Sequence, residues 1–196
     1  QTQQTKDTDR LNIKFMQADE SNILGCYTDK NGNIEAVLGF KRSQLLYDIE
    51  NYSYIEGHIM QTDNLHAKHT VQDVGEEGNV NRITRLLDLT VAQCKELLYP
   101  YTKNEISNHE LDNVLKEQPT YGIVLSLPAD FSQTTLNLLS KLIHEYIVCY
   151  TVADWMSITN PAKAETWAVK AEDMERQIRV ALHSRVNRVR RRLSVF

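Results

Sequence analysis

The sequence predicts an α+β fold, mainly α: a helical bundle with a long antiparallel C-terminal helical hairpin and a small N-terminal β-hairpin. The first reason is residues 132–158, which hold no Gly or Pro and are strongly apolar. A continuous helix there would run for roughly 40 Å at 1.5 Å per residue. The second reason is the joint Thr159-Asn160-Pro161. Asn160 suits an N-cap, and Pro161 suits the first helical position, where its missing N–H costs nothing. The third is Asn31-Gly32, set between two β-rich stretches. That dipeptide supplies the positive φ of a tight hairpin turn.

Residues 1–10 are polar and without periodicity, as expected of a flexible arm, and they show no signal-peptide pattern. The sequence starts at Gln1 rather than Met, so trimming or processing is expected. Residues 11–15 alternate apolar and polar, as a half-buried strand does, and residues 22–27 and 34–40 are two more strand candidates. Ser43 can cap a short helix over residues 43–51, with Leu45, Leu46 and Ile49 as its apolar stripe. Residues 52–60 are ambiguous. Residues 61–81 lack a sustained period and read as a long loop. Ile83, Leu86, Leu87, Val91, Cys94, Leu97 and Leu98 recur at helical steps up to Pro100. Residues 101–119 are polar with weak helical marks, and residues 121–127 read as a strand closed by Pro128.

From Leu142 to Met156 the apolar side chains nearly encircle the helix, through Ile143, Tyr146, Ile147, Val148, Tyr150, Val152 and Trp155. Such a helix lies centrally or packs on several partners. After Pro161 a second seam runs through Ala164, Trp167, Ala171, Met174, Ile178 and Ala181, alternating steps of three and four. The short joint makes the two helices antiparallel neighbours over residues 132–188.

Composition narrows the function classes. The net charge is -4, which argues against a general nucleic-acid coat. Charge is unevenly spread: seven arginines fall in residues 176–196, a stretch with no Asp or Glu. Three widely spaced cysteines, Cys26, Cys94 and Cys149, suit a reducing compartment better than a disulfide framework. No run of apolar residues reaches membrane-spanning length, so no membrane partner is expected.

Motifs for chemistry are sparse. Residues 29–33 superficially match a calcium loop, but its required Gly and Glu positions hold Ile34 and Phe40. His66 and His69 near Asp63 fall short of a zinc ligand set. His144 and Glu145 are adjacent on a helix and point about 100° apart, so each is expected to find its own tertiary partner or to lie at an exposed edge. There is no phosphate loop, no nucleophile elbow and no HExxH. No catalytic residue, metal or cofactor is expected, and the chain reads as a non-enzymatic part.

The sharpest charged feature is the ending Arg190-Arg191-Arg192-Leu193-Ser194-Val195-Phe196. Arg185 and Arg188 fit a helix C-terminus, where cations complement the dipole. Three successive arginines followed by Leu, Val and Phe instead suit a segment docked on an acidic groove. Arg188, Arg190, Arg191, Arg192, Leu193, Val195 and Phe196 are therefore the expected partner-docking residues. Tyr146, Tyr150, Trp155 and Trp167 are the expected subunit-interface residues.

Over residues 34–192 the chain resembles small structural proteins of tailed phages and prophages of gut bacteria. The likeness is carried by Ser43-Gln44-Leu45-Leu46-Tyr47-Asp48-Ile49, the amphipathic helix over residues 83–99 and the β-rich residues 121–127. Val152-Ala153-Asp154-Trp155-Met156, the joint Thr159-Asn160-Pro161-Ala162-Lys163-Ala164-Glu165 and the Arg-rich end complete it. The order of elements is similar to that of head–tail connector, or neck adaptor, proteins. The resemblance implies a ring of about twelve copies beneath the portal, with the C-terminal segment docked on the portal and tail or further neck proteins on the other side. It also implies a virion location at the head–tail junction, synthesis in a bacterial cytoplasm and DNA passing through the channel without sequence-specific contact. The implied organisation is an N-terminal arm and β-hairpin over residues 1–33, a connector-like domain over 34–188 and a docking tail over 189–196. The alternatives are a DNA-binding regulator using the Arg-rich end, an enzyme of unrecognised type, or another minor virion part such as a tail-completion protein.

Overall fold

The computed structural model describes residues 22–28, 32–102 and 119–183. Its elements run β1 (Ile23–Thr28), β2 (Ile34–Lys41), α1 (Arg42–Ile59), α2 (Leu65–Gln72), a 3-10 turn (Asp73–Gly75), α3 (Glu77–Leu97), β3 (Thr120–Leu127), α4 (Gln133–Thr159) and α5 (Pro161–Leu182). The fold is the expected α+β, mainly helical arrangement with the hairpin of α4 and α5 at its C-terminal end.

The sheet is antiparallel in the order β1-β2-β3. Gly32, at φ 81°, supplies the positive φ that lets β1 turn into β2. β3 pairs on the other side of β2, from Ile34 opposite Leu127 to Lys41 opposite Thr120. That pairing is non-local, so no turn residue announces it. Alternation sets the faces: Ala36, Leu38 and Phe40 of β2, with Tyr121, Ile123, Leu125 and Leu127 of β3, all enter the core. Gly39 faces the opposite side, where a Cβ would stand 2.4 Å from Cδ1 of Leu24, so the edge strand lays Leu24 directly on the glycine backbone. Because β1 is part of this sheet, a boundary between residues 33 and 34 would cut through a β-hairpin; the expected division into arm and domain is corrected there.

α1 continues straight from β2 and runs to Ile59, beyond the expected residues 43–51. Its cap position is Lys41 rather than Ser43, and no side chain caps it. Residues 61–81, expected as a loop, hold α2, the 3-10 turn and the start of α3. α2 is a polar helix that buries one residue, Val71, so it has no apolar stripe to read. What starts it is Asn64, whose Oδ1 accepts from the backbone N–H of His66 and Ala67 at 3.0 and 3.3 Å. Gly57 allows α1 and α2 to approach: a Cβ there would stand 2.9 Å from the Lys68 carbonyl oxygen.

α4 is the central helix. It packs on α1, α2, α3 and α5 of the same chain and buries Leu139, Ile143, Ile147, Val148, Val152 and Met156 almost fully. Its encircling apolar surface is thus covered from within. α5 begins with Asn160 at the cap position and Pro161 next, although the Asn160 side chain makes no capping bond. No described helix is long and apolar enough to cross a membrane.

Candidate functional site

α1 separates two polar regions. On its inner side a row of polar side chains at four-residue spacing, Asp48, Tyr52 and Glu56, meets the hairpin. His144 Nε2 lies 2.7 Å from Asp48 Oδ2. The Tyr52 hydroxyl donates to Glu145 Oε1 at 3.0 Å, and the Cys149 thiol donates to the same oxygen at 3.6 Å. His144 and Glu145 therefore take separate partners, as their 100° divergence on α4 requires. Glu56, 8% exposed, accepts from Trp167 Nε1 at 3.1 Å and lies 3.6 Å from Lys163 Nζ. The Trp167 ring packs against Tyr52, with centroids 5.0 Å apart, and carries Lys170 Nζ 3.8 Å from its own centroid.

This seam ties α1 to the hairpin. Burial, then the Glu145 carboxylate, pushes the Tyr52 hydroxyl up to about 12 and the Cys149 thiol likewise to about 12. Both groups stay protonated at neutral pH and serve as donors. A thiol so held is a poor nucleophile, since the thiolate is the reactive form.

The outer side of α1 is different. Tyr47, Glu50, Asn51 and Tyr54 line a cleft closed on its other wall by Gln72, Asp73, Gly75 and Glu76, with a volume of about 510 Å³. At 100° per residue these four α1 side chains share one stripe, turned away from Asp48, Tyr52 and Glu56. Gln72 Nε2 donates to the Tyr54 carbonyl at 3.3 Å and fixes one end of the cleft. Gly75 makes room for the Glu50 carboxylate, whose Oε1 lies 2.4 Å from where a Cβ would sit. Three carboxylates thus line a space walled by two well-exposed tyrosines, Tyr47 at 62% and Tyr54 at 59%. Among the described residues no ion pair engages Glu50, Asp73 or Glu76. Such a site suits a cation, above all a guanidinium, which pairs with carboxylates and stacks on aromatic faces.

The residues expected from the sequence divide into two groups. Tyr146, Trp155 and Trp167 are 7%, 5% and 3% exposed, so the chain itself covers them. Trp155 Nε1 donates to the Val71 carbonyl at 2.9 Å. These three are core residues, which corrects their reading as subunit-interface anchors; their apolar bulk is spent on packing α4 and α5 against α1 and α2. Tyr150 is half-buried and packs tilted against Tyr146, with centroids 6.0 Å apart. The docking residues Arg188, Arg190, Arg191, Arg192, Leu193, Val195 and Phe196 lie outside the described residues. His66 and His69 sit on α2, and among the described residues no three His, Cys, Asp or Glu side chains gather as a metal site.

Sequence reasoning missed the cleft because its second wall falls in the segment read as a loop. The available signal was the spacing of Tyr47, Glu50, Asn51 and Tyr54, a polar-aromatic stripe opposite Leu45 and Ile49. No family model, curated protein or solved structure matches the chain.

Proposed function

We propose that the chain is a virion structural protein, a head–tail connector that assembles as a ring beneath the portal and docks to the portal through its C-terminal tail. The observation that supports it best is apolar surface on two opposite sides of the fold. Tyr47 and Tyr54 stand 62% and 59% exposed on the outer side of α1. Val169 and Val180, 57% and 67% exposed, lie eleven residues apart on α5 and so share one face of the hairpin. Two unlike patches on opposite sides favour a heterologous contact, the kind that closes into rings. The central helix α4 carries no weight here, since its own chain covers it.

The resemblance to neck adaptors supplies the place of such a ring, and the net charge of -4 suits a wall past which DNA slides. Two measurements test the reading. Particle mass by light scattering, with images of the particles, should give a closed ring; a monomer at all concentrations would sink it. Removing residues 190–196 should abolish attachment to portal-bearing heads while leaving the helical content unchanged. Attachment that survives the truncation would remove the tail from the mechanism.

A further inference from the structure

We infer that the cleft on the outer side of α1 receives the arginine-rich stretch over residues 185–192 of a second copy of this chain. The inference rests on the self-assembly reading and names the surfaces that meet. It divides the tail in two: the arginines engage the next copy, and Leu193, Val195 and Phe196 remain for the portal.

Charge complementarity is the first argument. Residues 184–196 hold five arginines, Arg185, Arg188, Arg190, Arg191 and Arg192, and no acidic residue. With those five set aside, the chain has seventeen basic against twenty-six acidic residues, a net of -9. The cleft concentrates that excess: Glu50, Asp73 and Glu76 line it, and Glu50 and Glu76 are exposed. Its walls match the arginine side chain in a second way. Tyr47 and Tyr54 offer ring faces on which a guanidinium stacks, and a cleft of about 510 Å³ exceeds the needs of a bound ion and suits a side chain with its neighbours.

Geometry chooses a second copy over the chain's own tail. α5 packs on the inner side of α1, where Trp167 meets Tyr52 and Glu56. It ends at Leu182, whose carbonyl accepts from the Tyr101 hydroxyl at 3.4 Å. Tyr101 in turn accepts from the backbone N–H of Ser126, so α5 ends beside β3. The cleft opens on the far side of α1. The described chain ends at His183, on the side of α1 away from the cleft, whereas a neighbour's cleft can be presented directly to the residues that follow. A cleft on one side of α1 and the end of α5 away from it also give the head-to-tail contact that a ring needs.

The experiment uses the full chain and two neutralised variants. One carries Glu50→Gln, Asp73→Asn and Glu76→Gln. The other carries Arg185→Gln, Arg188→Gln, Arg190→Gln, Arg191→Gln and Arg192→Gln. Light scattering across a concentration series should show the unaltered chain associating, with weaker association at high salt. Each variant alone should associate at least about tenfold more weakly. Mixed in equal amounts, the two should form a heterodimer and nothing larger, because one intact cleft meets one intact tail. Restored pairing in the mixture also shows that both variants are folded. An oligomer that the cleft variant leaves unchanged, or a mixture that stays monomeric, overturns the cleft while leaving the ring reading in place. A monomeric unaltered chain overturns both.

Discussion

Replacing Glu56 separates a fold held by burial alone from one held by the seam between α1 and the hairpin. Glu56 is 8% exposed and accepts from Trp167 Nε1 at 3.1 Å. Glu56→Ala leaves that indole N–H buried without its acceptor, at a cost of about 1–3 kcal/mol. It also removes the packed methylene stem, worth roughly another 1 kcal/mol. Loss of the Lys163 ion pair adds little, because that side chain is 43% exposed and 3.6 Å away. The sum is about 2–4 kcal/mol. Glu56→Gln keeps a carbonyl acceptor for Trp167, so about 1 kcal/mol or less is expected. Urea unfolding followed by tryptophan fluorescence reads the difference, with a midpoint lowered by about 1 M for Glu56→Ala at a slope of ~2–3 kcal/mol per molar. If Glu56→Gln is as damaging as Glu56→Ala, the charge rather than the acceptor holds Trp167, and the reasoning fails. If neither changes the midpoint, the seam contributes nothing to stability.

Alkaline pH should weaken the fold through Cys94, Cys149, Tyr52 and Tyr146. Their ordinary values are 9.0 for the thiols and 10.0 for the phenols, and burial first of all pushes each up to about 12. The unfolded chain loses these protons earlier than the native one, so stability is full below about pH 9 and falls as pH rises toward 12. A urea midpoint that stays flat over that range would contradict the burial of these groups. Gly39→Ala should cost roughly 1–3 kcal/mol by driving a Cβ into Leu24, and Leu24→Ala in the same chain should recover much of it; additive losses would place Leu24 elsewhere. Ile143→Ala, at a fully buried position of α4, should cost about 2–5 kcal/mol in the same unfolding assay, and a loss below 1 kcal/mol would argue that α4 is not central.

How much could be read in advance depended on where each signal lay. α4 and α5 were legible because their residues repeat a helical period without Gly or Pro and because Asn160-Pro161 marks the joint locally. β1 and β2 were legible through alternation and Asn31-Gly32. The pairing of β2 with β3 was not, since nearly eighty residues intervene in the sequence and only the folded core aligns Leu38 with Ile123. α1 was cut short because Ser53, Glu56 and Gly57 break the apolar pattern; in the fold all three are buried, Glu56 against Trp167 and Gly57 against α2. α2 escaped notice because its stability comes from the Asn64 cap and from neighbours rather than from a stripe. Trp155 and Trp167 were legible as important and misassigned in role: large aromatic side chains mark packing as well as contact, and only their partners, the Val71 carbonyl and the Glu56 carboxylate, distinguish the two.

The distribution of charge bears on how copies would be arranged. A symmetric dimer needs a surface complementary to itself, and an acidic cleft facing its own image would repel. The cleft therefore seeks a surface of opposite sign, and residues 185–192 are where this sequence concentrates it. A contact of that kind has direction, with cleft on one copy and tail on the next. Repeated, it either closes into a ring or runs on as a filament, and the rotation between successive copies decides which. The exposed Val169 and Val180 on α5 give that rotation a second constraint, because two contacts between copies fix an angle that one leaves open. Replacing both valines with Ser should leave tail-dependent association measurable while spreading particle masses over several sizes. A single sharp mass in that variant would mean that cleft and tail by themselves fix the geometry.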